Sequence, residues 1–163
     1  MQELPRIERV AVEVPSTLRI SWRGKRTADR VNLAGWIATG GGILAPLADT
    51  DLFRQARVAS YGSAIAWDDD DLAIDALHLK RLADEQRPFG NSDLRAWQTA
   101  TRLSNAEAAE FLGVSLSTWN SYRAEAQIPQ PVSITLRAAL RDPLLLQAHL
   151  RPRKAGRPRK AAG

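Results

Sequence analysis

The chain has 163 residues, 44% of them hydrophobic, and no cysteine. That allows one domain or two small ones with a core, and it excludes a disulfide framework and a thiolate metal site. No run nears the roughly 18 apolar residues that a membrane span needs. The N-terminus MQELPRIERV holds acids and no apolar h-region, so a soluble cytoplasmic protein without a secretory signal is expected. The net charge of +5 is uneven. Residues 1–92 carry 12 Lys and Arg against 13 Asp and Glu, residues 93–150 carry 5 against 5, and residues 151–163 carry 6 against none. The whole excess sits in the last stretch, so electrostatic attraction toward a polyanion is expected from the tail.

Residues 1–67 read as β-rich. Ile7, Val10, Val12 and Val14 form an apolar series that suits a half-buried strand, and Pro15-Ser16 breaks it. Leu18, Ile20 and Trp22 alternate in the same way, and the short connection predicts an antiparallel hairpin. Arg23-Gly24-Lys25 is a turn, and Thr27 to Leu33 is a third strand with Val31 and Leu33 inward. Gly40-Gly41-Gly42 lacks the Lys-Ser/Thr of a phosphate loop and reads as a flexible turn. Pro46 to Phe53 supplies one or two helical turns, then Arg57 to Ser60 and Ala64 to Trp67 read as short strands. The acids Asp68 to Asp71 lack calcium-loop spacing. They are read as preceding a helix whose stripe is Leu72, Ala76, Leu79 and Ala83. His78 has no second ligand at metal spacing and reads as structural. Strands followed by helices in this order predict an α+β domain.

Several of these features together resemble a small bacterial domain family of unknown function, number twenty-four forty-two in its series. They are the early strand pair, Val31-Asn32-Leu33, Leu47-Ala48-Asp49, Phe53, Val58, Gly62, Ile65, Trp67, Asp71-Leu72 and Asp75-Ala76-Leu77. The resemblance implies a fold more than a function. Some members of that family carry a C-terminal helix-turn-helix, and some are met in operons that look like toxin–antitoxin pairs.

Asp84 to Asn91 is polar with Pro88 and Gly90, and reads as a linker. A helix from about Asp93 to Arg102 follows, with Ser92 as its expected cap and Leu94, Trp97 and Thr101 on one side. Ser104 with Glu107 forms a capping box, so the next helix starts at Asn105. Gly113 sits where the chain must turn with positive φ, and Ala109 leaves room for a close helix approach. Ser115 caps a further helix, with Trp119 and Tyr122 on its apolar face. Ile128-Pro129-Gln130-Pro131 stops that helix. Val132 to Leu140 is a fourth helix with Leu136 and Leu140 at i and i+4, Asp142-Pro143 breaks it, and Leu144 to Leu150 is a short fifth.

The set Asn105, Ala109, Gly113, Val114, Ser115 and Tyr122 resembles the helix-turn-helix of the Cro and XRE repressor family. In that family the second helix enters the major groove. The resemblance implies that Ser115, Leu116, Ser117, Asn120 and Ser121 face DNA, with Arg123 on the same helix and Asn105 near a phosphate. Trp119 departs from the family pattern, which favours a smaller β-branched residue. A helical hairpin that only packs or dimerises carries the same local signals. In the tail, Gly156-Arg157-Pro158-Arg159-Lys160 is similar to an AT-hook, with Ala155 where the full core has arginine. Arg153, Lys154, Arg157, Arg159 and Lys160 are then either minor-groove contacts or parts of a solubilising basic tail.

The resulting organisation is an α+β domain over residues 1–84, a linker at 85–91, an all-α repressor-like helix-turn-helix domain at 92–150 and a basic disordered tail at 151–163. The function expected from it is sequence-specific DNA binding by a homodimeric bacterial repressor, with double-stranded DNA as partner. The alternative is an antitoxin or interaction adaptor with a toxin-like protein partner and secondary DNA binding. No cofactor, metal or membrane partner is expected. Without a G-x-S-x-G elbow, and with His78 and His149 in different expected domains, the chain reads as a non-enzyme.

Overall fold

Alternating apolar residues build the first sheet. A computed structural model describes residues 3–68 and 71–153. Strand β1 is Ile7–Glu13, β2 is Thr17–Trp22 and β3 is Ala28–Asn32, in the antiparallel order β1-β2-β3. The register pairs Val10 with Ile20, Val12 with Leu18, and Leu18 with Val31. Leu18, Ile20 and Trp22 therefore point to one face, and all three are buried. Val14 lies past the end of β1 and is exposed.

The next segment is more helical than its composition suggests. Helix α1 (Ala34–Thr39) and helix α2 (Gly41–Leu44) lead into a 3-10 turn at Ala45–Ala48, then α3 at Thr50–Phe53. The flexible turn expected at Gly40 to Gly42 is thus a junction between two helical turns. Ile37, Leu47 and Phe53 anchor the segment in the core, which outweighs the low helix propensity of glycine. The Asp49 carboxylate caps α3 by accepting from the Asp51 and Leu52 N–H groups.

A second antiparallel sheet follows, in the order β4 (Arg57–Ala59), β5 (Ala64–Trp67), β6 (Leu72–Asp75). The helix expected from Leu72 onward is a correction. Leu72 pairs with Trp67 and Ile74 with Ile65, so this stretch closes a hairpin. Helix α4 begins only at Ala76 and runs to Gln86, and the Asp75 carboxylate, not the run at Asp68 to Asp71, caps it. Asp69 and Asp70 lie outside the described residues. Between β4 and β5, Gly62 has φ +86° and packs so closely on β1 that a Cβ would lie 2.5 Å from the Ile7 carbonyl. No other residue type fits there. The core holds Phe53 stacked on Trp67 at 5.7 Å, with the Trp67 indole donating to the Phe53 carbonyl at 3.0 Å. His78 meets Trp36 edge-on at 6.2 Å.

The chain divides between Arg87 and Pro88 into two units. Among its described residues the regular structure of the second is all helical: α5 (Asn91–Thr101), α6 (Asn105–Leu112), α7 (Leu116–Ala124), α8 (Gln130–Arg141) and α9 (Pro143–His149). Its core gathers Leu94, Trp97, Leu103, Ala108, Ala109, Trp119, Leu136 and Ala139. Two expectations are corrected here. The cap of α5 is Gly90, whose N–H donates to the Asp93 carboxylate at 2.7 Å, and Ser92 lies inside the helix. Leu140 is 55% exposed, because α8 turns Ser133, Leu136 and Ala139 inward instead. Among the described residues the protein is a mixed α+β structure with two small antiparallel sheets and nine α-helices.

Candidate nucleic-acid interface

Helix α6 is fixed at both ends by local chemistry. The Ser104 hydroxyl accepts from the Glu107 N–H at 3.2 Å, and the Glu107 carboxylate accepts from the Ser104 N–H at 3.0 Å. These contacts satisfy two donors that a helix start leaves open. They also hold the Glu107 carboxyl below the usual range. The Ser104 backbone N–H is the main cause, then the Ser104 side chain and the Arg153 N–H. At the other end Gly113 takes φ 72° and ψ 28°, and the Val114 N–H returns to the Ala109 carbonyl at 3.0 Å. Two residues later Ser115 caps α7 by accepting from the Thr118 N–H at 3.0 Å. The connection between the two helices is therefore short and pinned.

The underside of α7 is a single aromatic anchor. Trp119 is fully buried and meets Trp97 edge-on at 6.2 Å, and Trp97 stacks on Phe111 at 5.9 Å. The Trp119 indole donates to the Asn105 side-chain oxygen at 3.1 Å, and Gln98 donates to the same oxygen at 2.8 Å. The Trp119 hydrogen bond ties α7 to the first residue of α6. At its far end α7 is held by Asn91, whose amide donates to the carbonyls of Tyr122 at 2.6 Å and Ala126 at 2.8 Å.

The opposite side of α7 points away from the core. Ser115, Leu116, Ser117, Asn120 and Ser121 are all exposed, so the structure gathers these five expected site residues on one surface. Ser121 donates to the Ser117 carbonyl at 3.1 Å, whereas Asn120 has a full amide open to solvent. Arg123 lies differently. It is half-buried, its Nε is buried with no partner among the described residues, and its carbonyl accepts from Arg95. Asn105 has its oxygen committed to Trp119 and Gln98, which leaves only its amide N–H groups for other contacts. Arg153 lies against α6: its N–H donates to Glu107 at 3.2 Å and its Nε faces Glu110 at 3.4 Å. Lys154, Arg157, Arg159 and Lys160 lie outside the described residues.

Sequence reasoning missed two positioning residues. Asn91 was absorbed into the linker, and Gln98 gave no signal because a polar residue on a surface helix is ordinary. Asn91 acts through bonds to residues more than thirty positions on, and Gln98 bridges from α5 to the Leu103 carbonyl and the Asn105 side chain. Among the described residues no group of three or more His, Cys, Asp or Glu is placed to hold a metal ion, and no helix is long and apolar enough to cross a membrane.

No family model matches the chain, and no curated protein matches it. Among solved structures it is similar to a crystal structure from Nitrosomonas europaea ATCC 19718 named "Putative DNA Binding Protein". The identity is 24% and the TM-score 0.45, over 94% of this chain and 98% of that one.

Proposed function

We propose that the chain is a sequence-specific DNA-binding regulator of the repressor type, reading the major groove with α7. The observation that carries this is the two-sidedness of α7. Trp119 clamps one side into the core, and five short or flexible side chains stand clear on the other. A helix offered in this way presents base-reading groups on a rigid support, as recognition by direct readout requires. Asn120 is the reading residue, because its amide can pair bidentately with adenine. Ser115, Ser117 and Ser121 contact phosphates or bases beside it, Leu116 meets a thymine methyl, and Arg123 and the Asn105 amide approach phosphates.

Affinity comes from elsewhere. Residues 93–150 carry no net charge, so the six cations of residues 151–163 supply the phosphate attraction. The contact of Arg153 with α6 starts that tail beside the proposed reading unit. The protein acts as a homodimer through Ile134, Leu140 and Leu144, which are 50%, 55% and 61% exposed. The reading includes no catalytic step and no cofactor. Binding to the promoter of its own gene, with random DNA as competitor, tests it. Protection of two half-sites about 34 Å apart, or a multiple, is expected. Equal binding to promoter and random DNA would remove the regulator reading.

A second reading is favoured by the zero net charge of residues 93–150 and by the same exposed apolar residues. The chain would then be an antitoxin or adaptor that covers a protein partner, with DNA binding secondary. A small toxin-like reading frame beside its gene, together with a stable complex of the two products, would put this reading first.

A further inference from the structure

The connection between β2 and β3 carries Arg23-Gly24-Lys25-Arg26. Its backbone is fixed by two hydrogen bonds. The Arg23 N–H donates to the Arg6 carbonyl at 2.8 Å, and the Lys25 N–H donates to the Trp22 carbonyl at 3.1 Å. The first sets Arg6, just before β1, beside Arg23. Gly24 takes φ +75°, which reverses the chain and brings Lys25 back. Arg6, Arg23 and Lys25 consequently line one cleft of about 330 Å³, with Trp22 and Lys80 as further walls.

The charges in this cleft are not balanced. Lys80 is already paired, at 3.3 Å from Asp29 and 2.8 Å from Asp84, and it lies 5.9 Å over the Trp22 ring. Arg6, Arg23, Lys25 and Arg26 are exposed and form no ion pair with a described residue. Among the described residues Glu3 is the one carboxylate on the lining. Like charges held together on a short, fixed turn repel one another, and an anion between them removes that cost. Two guanidinium forks and an ammonium suit tetrahedral oxyanions, because arginine donates paired hydrogen bonds and lysine adds a point charge.

We propose that this cleft binds a phosphate group through Arg6, Arg23 and Lys25. The phosphate belongs either to a nucleic-acid backbone or to a free phosphorylated small molecule. The proposal is independent of α7, since every residue in it belongs to the first unit. The test uses the full chain and a double variant, Arg23→Ala with Lys25→Ala, in two titrations. One is against a short random-sequence duplex across a salt series, the other against inorganic pyrophosphate by calorimetry. If the source is DNA, the salt slope of log affinity falls by about 2, from about 0.9 for each lost contact. If the source is a small molecule, the duplex slope holds and pyrophosphate affinity drops at least tenfold. Glu3→Gln, on an exposed residue before β1, should tighten the same ligand, and it serves where the double variant loses its fold. Unchanged slope and unchanged pyrophosphate binding in a folded double variant overturn the proposal, as does a Glu3→Gln variant with no gain on either ligand. Failure of the α7 reading shows separately, as a loss of sequence preference that leaves these two titrations intact.

Discussion

Trp119 holds the proposed reading helix by both shape and polarity. Its ring fills the space beside Trp97, and its N–H gives Asn105 a partner that no aliphatic residue could supply. Trp119→Phe keeps most of the ring and removes the donor. Gln98 still satisfies the Asn105 oxygen, so the lost bond should cost about 1 kcal/mol, with the void left by the smaller ring adding to it, read by denaturant unfolding. Wild-type stability in that variant would mean the bond contributes nothing. Asn120 makes the opposite case, since it is exposed. Asn120→Ala should leave the melting temperature alone and relax base preference at one position, by ~1–3 kcal/mol of discrimination. Selection from a random-sequence library measures this, and an unchanged preference would take Asn120 out of the reading set.

Helix α6 shows what short-range sequence makes legible. Ser104, Glu107, Gly113 and Ser115 each act within four residues of themselves, so the capping box, the left-handed turn and the α7 cap could all be read from the chain alone. Ser104→Ala should cost about 1 kcal/mol in thermal or denaturant unfolding. The box also sets a pH dependence. The folded pKa of Glu107 lies below its unfolded value, so its stabilisation is fully present above the unfolded value and is lost as pH falls through the folded one. Glu107→Gln should flatten the acid side of the stability curve below about pH 4.5, and added salt should shrink the difference because the group faces water. An identical acid limb in both proteins would count against it. Leu72 to Asp75 was illegible for the converse reason. Leu72, Ala76, Leu79 and Ala83 fall at helical spacing, but the first belongs to a strand whose partner, Trp67, is recruited by hairpin pairing. The stripe crosses a strand–helix junction, and only the carboxylate of Asp75 marks where one ends. In helix α1 the N-cap position is Leu33, which has no capping side chain; Asn32 one residue earlier accepts from the Ala34 N–H at 2.9 Å, and Ile37 is the helix's one buried residue.

At the scale of the whole molecule, charge and fold are carried by different stretches. Residues 93–150 carry no net charge, and the excess of cations lies after Leu150. Deleting residues 151–163 should therefore weaken binding to every DNA sequence, lower the salt slope by about 0.9 per lost contact and leave the ranking of sequences in place. Arg157→Ala should harm A·T-flanked sites more than G·C-flanked ones if the tail enters the narrow groove. Titrations over a salt series with both flanks check this, and equal slopes with and without the tail would move the adaptor reading ahead. The alternating strands and the capped helices could be read along the chain, whereas the cleft beside Arg23 could not, because Arg6 reaches it only through a cross-strand bond. The tryptophans described above also make the two units separately audible. Three indole N–H groups are hydrogen-bonded, those of Trp22 to Asp29, Trp67 to Phe53 and Trp119 to Asn105, and that of Trp97 is buried with no partner among the described residues. Each is a clock in hydrogen–deuterium exchange, running at the rate at which its own surroundings open. Trp22 and Trp67 report on the sheets, and Trp97 and Trp119 on the helices. A ligand held by the first unit should slow the clocks of Trp22 and Trp67, and one held by the second those of Trp97 and Trp119.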